Sequence, residues 1–547
     1  MQVNNLLTNE VTLEAYLKAN GITNIDHYLN PPTSVLDKPW LYDNMREAVD
    51  EIKYCILNDL SFGIIQDNDT DGVCSAYILY KYIKLQNPKC KVKIFIPEGK
   101  VRGLDSEDIR NKIIKYNPSL LIIPDAGTNS RQYEDELYDN NIPILVLDHH
   151  NQNENVCQRA IIVNNTMNQF ECNRELSGTG VTFKVLQALD MELNTKYSNH
   201  FIDLVGLSII SDCMDVRTYE NRWFINYFLN PDNIENDFIS KLLEMTTQNN
   251  YNQRDISFKI VPLFNSIIRC GTLEDKQKLF MAFMGKNIDE VIELGDKYHK
   301  EQVNRVNKFI SHHQSEINEQ ADSNITVIEA KDVPQTFSGL IAGKISGMTN
   351  KPCIVGKNIN DELCGSFRGY IPIDIMRQMP HITLVAGHET GAYGIHLDTS
   401  KSQNLADFRA EIDKMDISII PDVIASYSAN KLQMGLFKEF ARYDDLWGQE
   451  LKKPTFYIYN IRVNSQNIMV FGKKNYTLKI AFHHYEIMFF NMSEAKKEIF
   501  QLDKDINLNI NIIGSVGINN FRGKKTNQII VEDFEVEIVT NTFDDLM

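Results

Sequence analysis

Three short apolar runs, each delivering an acid at its end, constrain this chain more than any other feature. Phe62–Gln66 leads into Asp67, Leu120–Ile123 leads to Asp125, and Ile144–Leu147 leads into Asp148. Val92–Ile96 is a further strand-like run. Between them the spacing is helical: Val73, Ala76, Tyr77, Leu79, Tyr80 and Ile83 form an apolar stripe, and 106–115 and 132–137 read as shorter helices. Strands alternating with helices predict a mostly parallel sheet covered by helices. Ligand sites in open sheets of this kind lie at the C-terminal strand ends. The predicted fold therefore gathers the acids on one rim. Helices expected at 178–191 and 200–210 continue the domain, and Asp212 stands where the second one ends.

The densest acidic segment is Asp67-Asn68-Asp69-Thr70-Asp71-Gly72. Three carboxylates in five positions repel one another, and cations or hydrogen bonds relieve that repulsion. A plain surface loop is the bland alternative. A calcium loop of EF-hand type needs Glu at its twelfth position, and counting from Asp67 that position is Ile78. Asp148-His149-His150 brings an acid and two imidazoles to another strand end. Carboxylates with one or two imidazoles suit Mn²⁺ or Mg²⁺ better than a thiolate-selected metal. Two such ions can activate water and stabilise attacking and leaving oxygens in phosphodiester hydrolysis.

With 547 residues the chain is too long for one ordinary domain. Residues 1–235 read as a helical leading segment plus the first α/β domain, and 236–320 as a helical connector ending in a long helix. Residues 321–420 read as a second α/β domain, and 421–547 as a linker helix followed by six strand-like runs that fit a five-stranded barrel of OB type with one run merged or outside it, which periodicity alone does not separate from a small sandwich. In that last region Lys473 and Arg522 sit in turns among aromatic residues, which suits contact with a single strand. The net charge of −17 repels bulk nucleic acid at long range without excluding a local basic groove. Nine scattered cysteines with no CxxC pair fit a reduced, cytoplasmic chain. No signal peptide and no run of about 18 apolar residues is evident, so no membrane association is expected. No G-x-x-x-x-G-K-[ST] segment occurs, which argues against a P-loop motor.

Asp67–Gly72 together with Asp148-His149-His150 resembles the DHH phosphoesterase family, and in particular its RecJ-like 5′→3′ exonucleases specific for single-stranded DNA. Asp125, Leu176–Val181, Asp212 and Glu220-Asn221-Arg222 follow in the family's order. Gly365-Ser366-Phe367-Arg368 and Gly387–Ala392 look like a DHHA1-type domain, and 519–533 resembles the end of the family OB domain. The resemblance implies two ions, Mn²⁺ or Mg²⁺. Asp69, helped by Asp67, would hold the first; Asp71, His149 and Asp212 would hold the second; Asp125 would bridge them. His150 would face the scissile phosphate, and Ser366, Arg368 and His388 would bind nucleotide phosphates across a cleft. Arg217 and Arg222, just after the Asp212 motif, are further phosphate candidates, or else they offset the acids' charge. The implied activity releases 5′-mononucleotides from single-stranded DNA in repair, recombination or replication. A monomer working with a single-strand-binding protein or a helicase is expected. Two other readings are a phosphodiesterase for short oligonucleotides or cyclic dinucleotides, and a non-catalytic binding or scaffold protein. Ser208-Ile209-Ile210-Ser211 before Asp212, and Ala386-Gly387 before His388, depart from the family pattern and fit a phage or mobile-element version.

Overall fold

A computed structural model of the chain describes residues 1–8, 10–98, 103–331, 334–388, 391–415, 420–472, 476–521 and 524–539. Within these, the side chains at 335, 386–388, 434, 436–437, 495, 520–521 and 524 are also outside the description. The acid-tipped runs form one five-stranded sheet from β1 (Ser61–Ile65), β2 (Lys91–Phe95), β3 (Leu120–Pro124), β4 (Ile144–Asp148) and β5 (Ile161–Asn164), in the order β2-β1-β3-β4-β5. Every pairing is parallel. All residues of β3 and β4 are buried, as expected where helices cover both faces. Sequence reading missed β5, whose four residues are too short to show a period. Pro124 pairs with Leu147, so Asp125 and Asp148 stand level at one edge.

Helix α1 (Thr70–Gln86) starts inside the acidic segment, because Asp69 caps it by accepting the Gly72 amide at 2.8 Å. Helix α2 (Gly178–Leu193) is capped by Ser177, and α3 (Ile202–Ser211) ends at Asp212. Helices α4 (Val261–Cys270) and α5 (Leu273–Phe283) pack into the same core as α1, through Phe264, Ile267 and Leu279. Helix α6 (Ile288–His312) then leaves this core. Its Val291 belongs to the first domain, whereas its Val306, Phe309 and Ile310 pack on the second. Each buried side chain of this size contributes about 1.5–3 kcal/mol over exposure. None of the described helices is long and apolar enough to cross a membrane.

The second domain holds β6 (Thr326–Glu329), α7 (Ser338–Thr349), β7 (Cys353–Ile359), β8 (Glu362–Arg368), β9 (Ile382–His388) and β10 (Ala392–Asp398). Its sheet runs β9-β10-β8-β7-β6, parallel only between β6 and β7. Strand β10 was not expected, although Tyr393, Ile395 and Leu397 alternate with less buried neighbours in a strand period. Ser323 Oγ and the Asn324 amide both donate to Asp413 Oδ1, at 3.0 and 2.6 Å, so the chain enters and leaves this domain at one place.

Among the described residues the C-terminal sheet has seven strands, one more than the six runs read from the sequence: β11 (Ala425–Ser428), β12 (Thr455–Asn464), β13 (Ile468–Phe471), β14 (Tyr476–Ala481), β15 (Glu486–Met492), β16 (Asn507–Phe521) and β17 (Lys524–Val539). The extra edge is β11, in parallel with β12, and the last two runs extend into one long hairpin. A parallel β15–β17 pairing joins the two halves of the sheet. Ile458, Leu478 and Ile512 of this sheet share one hydrophobic core with the first domain. The N-terminal segment ties the two together: Tyr16 packs edge-on to Phe440 and Trp447, and its hydroxyl donates to the Lys452 carbonyl at 2.9 Å.

Candidate metal centre

Asp67 and Asp69 come from the turn after β1, Asp71 from the first turn of α1, Asp125 from the end of β3, His149 from the end of β4, and Asp212 from the end of α3. They converge in two groups. Ligand atoms of Asp67, Asp69 and Asp125 lie within 4.8 Å of one another, as do those of Asp71, His149 and Asp212. The groups adjoin, since His149 Nε2 is 3.2 Å from Asp125 Oδ1 and 3.4 Å from Asp212 Oδ2.

The backbone is shaped around these side chains. Asp125 has φ +62°, a left-handed conformation that Asp and Asn tolerate better than most residues. A Cβ at Gly178 would stand 2.5 Å from the Asp125 Cβ, so only glycine lets α2 approach this closely. At that helix N-terminus the Gly178 and Thr179 amides donate to Asp71 Oδ2 and Oδ1 at 2.7 and 2.9 Å. Asp71 is thereby fixed in orientation, and its remaining lone pairs are left for a ligand.

Electrostatics supply the fit test for a cation. Burial, followed by the carboxylates of Asp71, Asp69, Asp212 and Asp67, pushes Asp125 well above the usual carboxylate range. Burial, Asp71 and Asp69 do the same to Asp212, whose buried Oδ2 has no hydrogen-bond partner among the described residues. Burial and Asp71 also raise Asp69, against the Gly72 amide, His150 and Arg269. Such crowding is relieved when positive charge enters. Oxygen donors with one imidazole suit Mn²⁺ or Mg²⁺.

Asp148, the acid of the Asp-His-His run, also has a ligand atom within 4.8 Å of those of Asp125, His149 and His150, but local hydrogen bonds take up its oxygens. It accepts the Thr128 and His149 amides at 3.0 and 2.7 Å and meets His150 Nδ1 at 2.7 Å. Burial alone would raise its carboxyl, but His150, His149 and Thr128 hold it well below the usual range. It orients His150, whose ring is 38% exposed beside the cluster.

The other expected residues separate. Ser366 and Arg368 lie on one face of β8 against α7, with Ser366 Oγ 2.8 Å from Ser338 Oγ and Arg368 Nη1 donating to the Phe367 carbonyl. Arg368 pairs in register with Ala392, which pairs with His388, while the His388 side chain lies outside the described residues. Lys473 and Arg522 also lie outside them. Arg217 is held through Nε and Nη2 by Asp215 at 3.0 and 2.7 Å. Arg222 is 1% exposed and bonds the Asp445 carbonyl and carboxylate. Both guanidiniums are thus engaged as local struts rather than offered to a phosphate.

Helices α4 and α5 bring residues that the sequence reading passed over as connector. Arg269 is half-buried; desolvation lowers its pKa, and the Asp69 carboxylate acts against that shift. It also neighbours Arg368, which burial and Arg269 depress in turn. Arg269 is therefore close enough to feel both the Asp69 carboxylate and the Arg368 guanidinium of the second domain. Lys276, 1% exposed, donates to Asn68 Oδ1 and the Pro97 carbonyl at 3.2 and 2.9 Å. Burial lowers it to about 8, although Glu98 and Asp67 act the other way. An arginine after Ser266-Ile267-Ile268 and a lysine on a helix with buried Leu279 and Phe280 were the available signals.

Comparison with known proteins agrees with this arrangement. Residues 61–209 match the DHH family, N-terminal domain, and residues 425–533 match the RecJ OB domain. The chain is 28% identical over 567 residues to YorK of Bacillus subtilis (strain 168), an SPbeta prophage-derived protein provisionally named a single-strand DNA-specific exonuclease, with 96% of each chain covered. It is 22% identical over 522 residues to the single-stranded-DNA-specific exonuclease RecJ of the same strain, covering 91% of this chain and 64% of that one. Among solved structures, RecJ of Thermus thermophilus in complex with Mn²⁺ superposes with a TM-score of 0.76 at 16% identity, over 95% of this chain and 75% of that one. Its Mg²⁺ complex gives 0.70, with 95% and 74% covered. The chain is a homologue of RecJ and YorK, with the RecJ fold, a DHH-family N-terminal domain and a RecJ OB domain.

Proposed function

We propose that this protein is a metal-dependent exonuclease that hydrolyses single-stranded DNA from the 5′ end and releases 5′-mononucleotides. The observation that carries the reading is the convergence of six ligand side chains, from four separate stretches of sequence, into two adjoining groups that meet between Asp125 and His149. Asp67, Asp69 and Asp125 would hold one Mn²⁺ or Mg²⁺ ion, and Asp71, His149 and Asp212 a second, with Asp125 shared. Divalent ions held there would lower the pKa of water and offset charge that develops on phosphate oxygens. Gly178 and Thr179 hold the Asp71 carboxylate still by two backbone hydrogen bonds. Asp148 aims His150, which donates a hydrogen bond or a proton to an oxygen of the scissile phosphate. Arg269, with Ser366 and Arg368, receives a phosphate on the side facing the second domain. The OB domain holds the rest of the strand, with Lys473 and Arg522 as contacts. The names of YorK and RecJ support the substrate class and the end-directed mode. Repair, recombination or replication in the cytoplasm, beside a single-strand-binding protein or a helicase, is the setting that suits such an activity.

The test uses linear and circular single strands, end-labelled where linear, with Mn²⁺, Mg²⁺ or EDTA. Mononucleotide release from the labelled 5′ end, suppression by EDTA and resistance of circles are expected. Digestion restricted to di- and trinucleotides would move the assignment to a short-oligonucleotide phosphodiesterase. Binding without metal-dependent hydrolysis would leave only a binding protein.

A further inference from the structure

Glu362, Cys364 and His396 bring a carboxylate, a thiol and an imidazole together outside the catalytic cluster. Cys364 on β8 lies directly opposite His396 on β10, and Glu362 is two residues before Cys364 on the same strand. All three side chains therefore project from one face of the sheet. Their ligand atoms lie within 4.8 Å of one another, and His396 Nδ1 is 3.4 Å from Glu362 Oε2. Around a tetrahedral Zn²⁺, with bonds of about 2.0–2.3 Å, ligand atoms stand roughly 3.3–3.8 Å apart. Small side-chain rotations close that difference. Glu362 and His396 are about one-third exposed, whereas Cys364 is 7% exposed, so the thiol forms the floor and the outer side stays open. Asp398, across from Glu362, is already engaged by the Ser400 amide and Asn404 Nδ2.

We propose that Glu362, Cys364 and His396 form a second metal site that takes a thiolate-accepting divalent cation such as Zn²⁺, with water completing the tetrahedron. The donor set is what separates it from the catalytic centre: sulfur and nitrogen favour Zn²⁺ or Co²⁺, whereas the oxygen-rich cluster favours Mn²⁺ or Mg²⁺. Cys364 alternates along β8 with Ser366 and Arg368, so a cation here adds positive charge to the face that carries them. It would stand about 7 Å along the strand from Ser366.

Co²⁺ titration of the reduced, full-length protein in excess Mg²⁺ tests the site. Wild type should show a thiolate-to-cobalt charge-transfer band with tetrahedral d–d bands, and Zn²⁺ should erase them. Asp125→Asn should keep the band while losing hydrolysis, so failure of the catalytic reading and failure of this site can be told apart. Cys364→Ser should lose the band. His396→Gln should raise the Co²⁺ needed for half-saturation on the order of tenfold or more. Circular dichroism and melting confirm that each variant is folded. Should Cys364→Ser not fold, His396→Gln and Glu362→Gln decide. Absence of the band in wild type, or its survival unchanged in the folded variants, overturns the proposal.

Discussion

In the first α/β domain the candidate ligands Asp67, Asp125 and His149 stand at strand ends, with Asp71 and Asp212 at helix ends beside them; in the second the candidate contacts Ser366 and Arg368 stand along a strand face. An all-parallel sheet points every C-terminal end to one rim, so Asp67, Asp125 and His149 meet although far apart in sequence. The mixed sheet of the second domain has no such rim. There the period of two sets Cys364, Ser366 and Arg368 side by side. Packing differs as well. The first domain has one core of its own and a second, larger one continuous with the C-terminal sheet, whereas the second domain shares neither and packs on two further cores, one of them against α6. Chemistry is thus expected to reside at the rim, and reception of phosphate on the face.

The sharpest test of this division is Asp125→Asn. Asparagine keeps the left-handed backbone and the shape, so folding should be unchanged, while hydrolysis falls by on the order of 10³-fold or more. A variant retaining near wild-type turnover would show that the rim is not the reacting centre. Arg269→Ala should lower kcat/KM on linear single strands by roughly tenfold to a hundredfold, the worth of hydrogen bonds to a charged group. Arg368→Ala should act similarly, and the double variant should fall short of the product of the two if they share one phosphate. Steady-state kinetics with circular dichroism as a fold control decides both.

Glu134 probes the layer beneath the rim. It is buried, and burial raises its carboxyl from 4.5 to about 8, with Cys157 beside it acting the other way. The folded protein therefore binds a proton that the unfolded chain has released. Its contribution is complete below the unfolded value near 4.5 and is lost as pH rises towards 8. Glu134→Gln should flatten the fall of Tm across that window and melt higher than wild type above pH 8. Arg217→Ala should change activity least, within about twofold, because an arginine already held by a neighbouring carboxylate is a local strut. A large rise in KM would restore it as a phosphate contact.

Four of the five strands of the parallel sheet were legible because their apolar runs are long enough to register, and three of them lead to the acids; β5 was too short to show a period. The second domain was partly legible: β7 and β8 declare themselves, but β10 hid behind Gly391, Gly394 and His396 in a run that reads as loop. Arg269 and Lys276 were lost for another reason. They approach the centre from helices distant in sequence, and a charged residue on a helix reads as solvated until packing shows Lys276 buried and Arg269 half-buried. For Arg222 the motif neighbours gave no sign of its bonds to Asp445, which lies 223 residues away. The seventh strand and the long hairpin depend on pairing register, which composition does not encode.

The hydrogen bonds from Ser323 and Asn324 to Asp413 give the second domain an evolutionary character of its own. A unit whose two connections stand side by side is a cassette. Recombination can lengthen it, exchange it or remodel its recognition face without rerouting the backbone that fixes the rim. The hydrolytic chemistry can stay constant in such a lineage while the nucleic acid it accepts drifts.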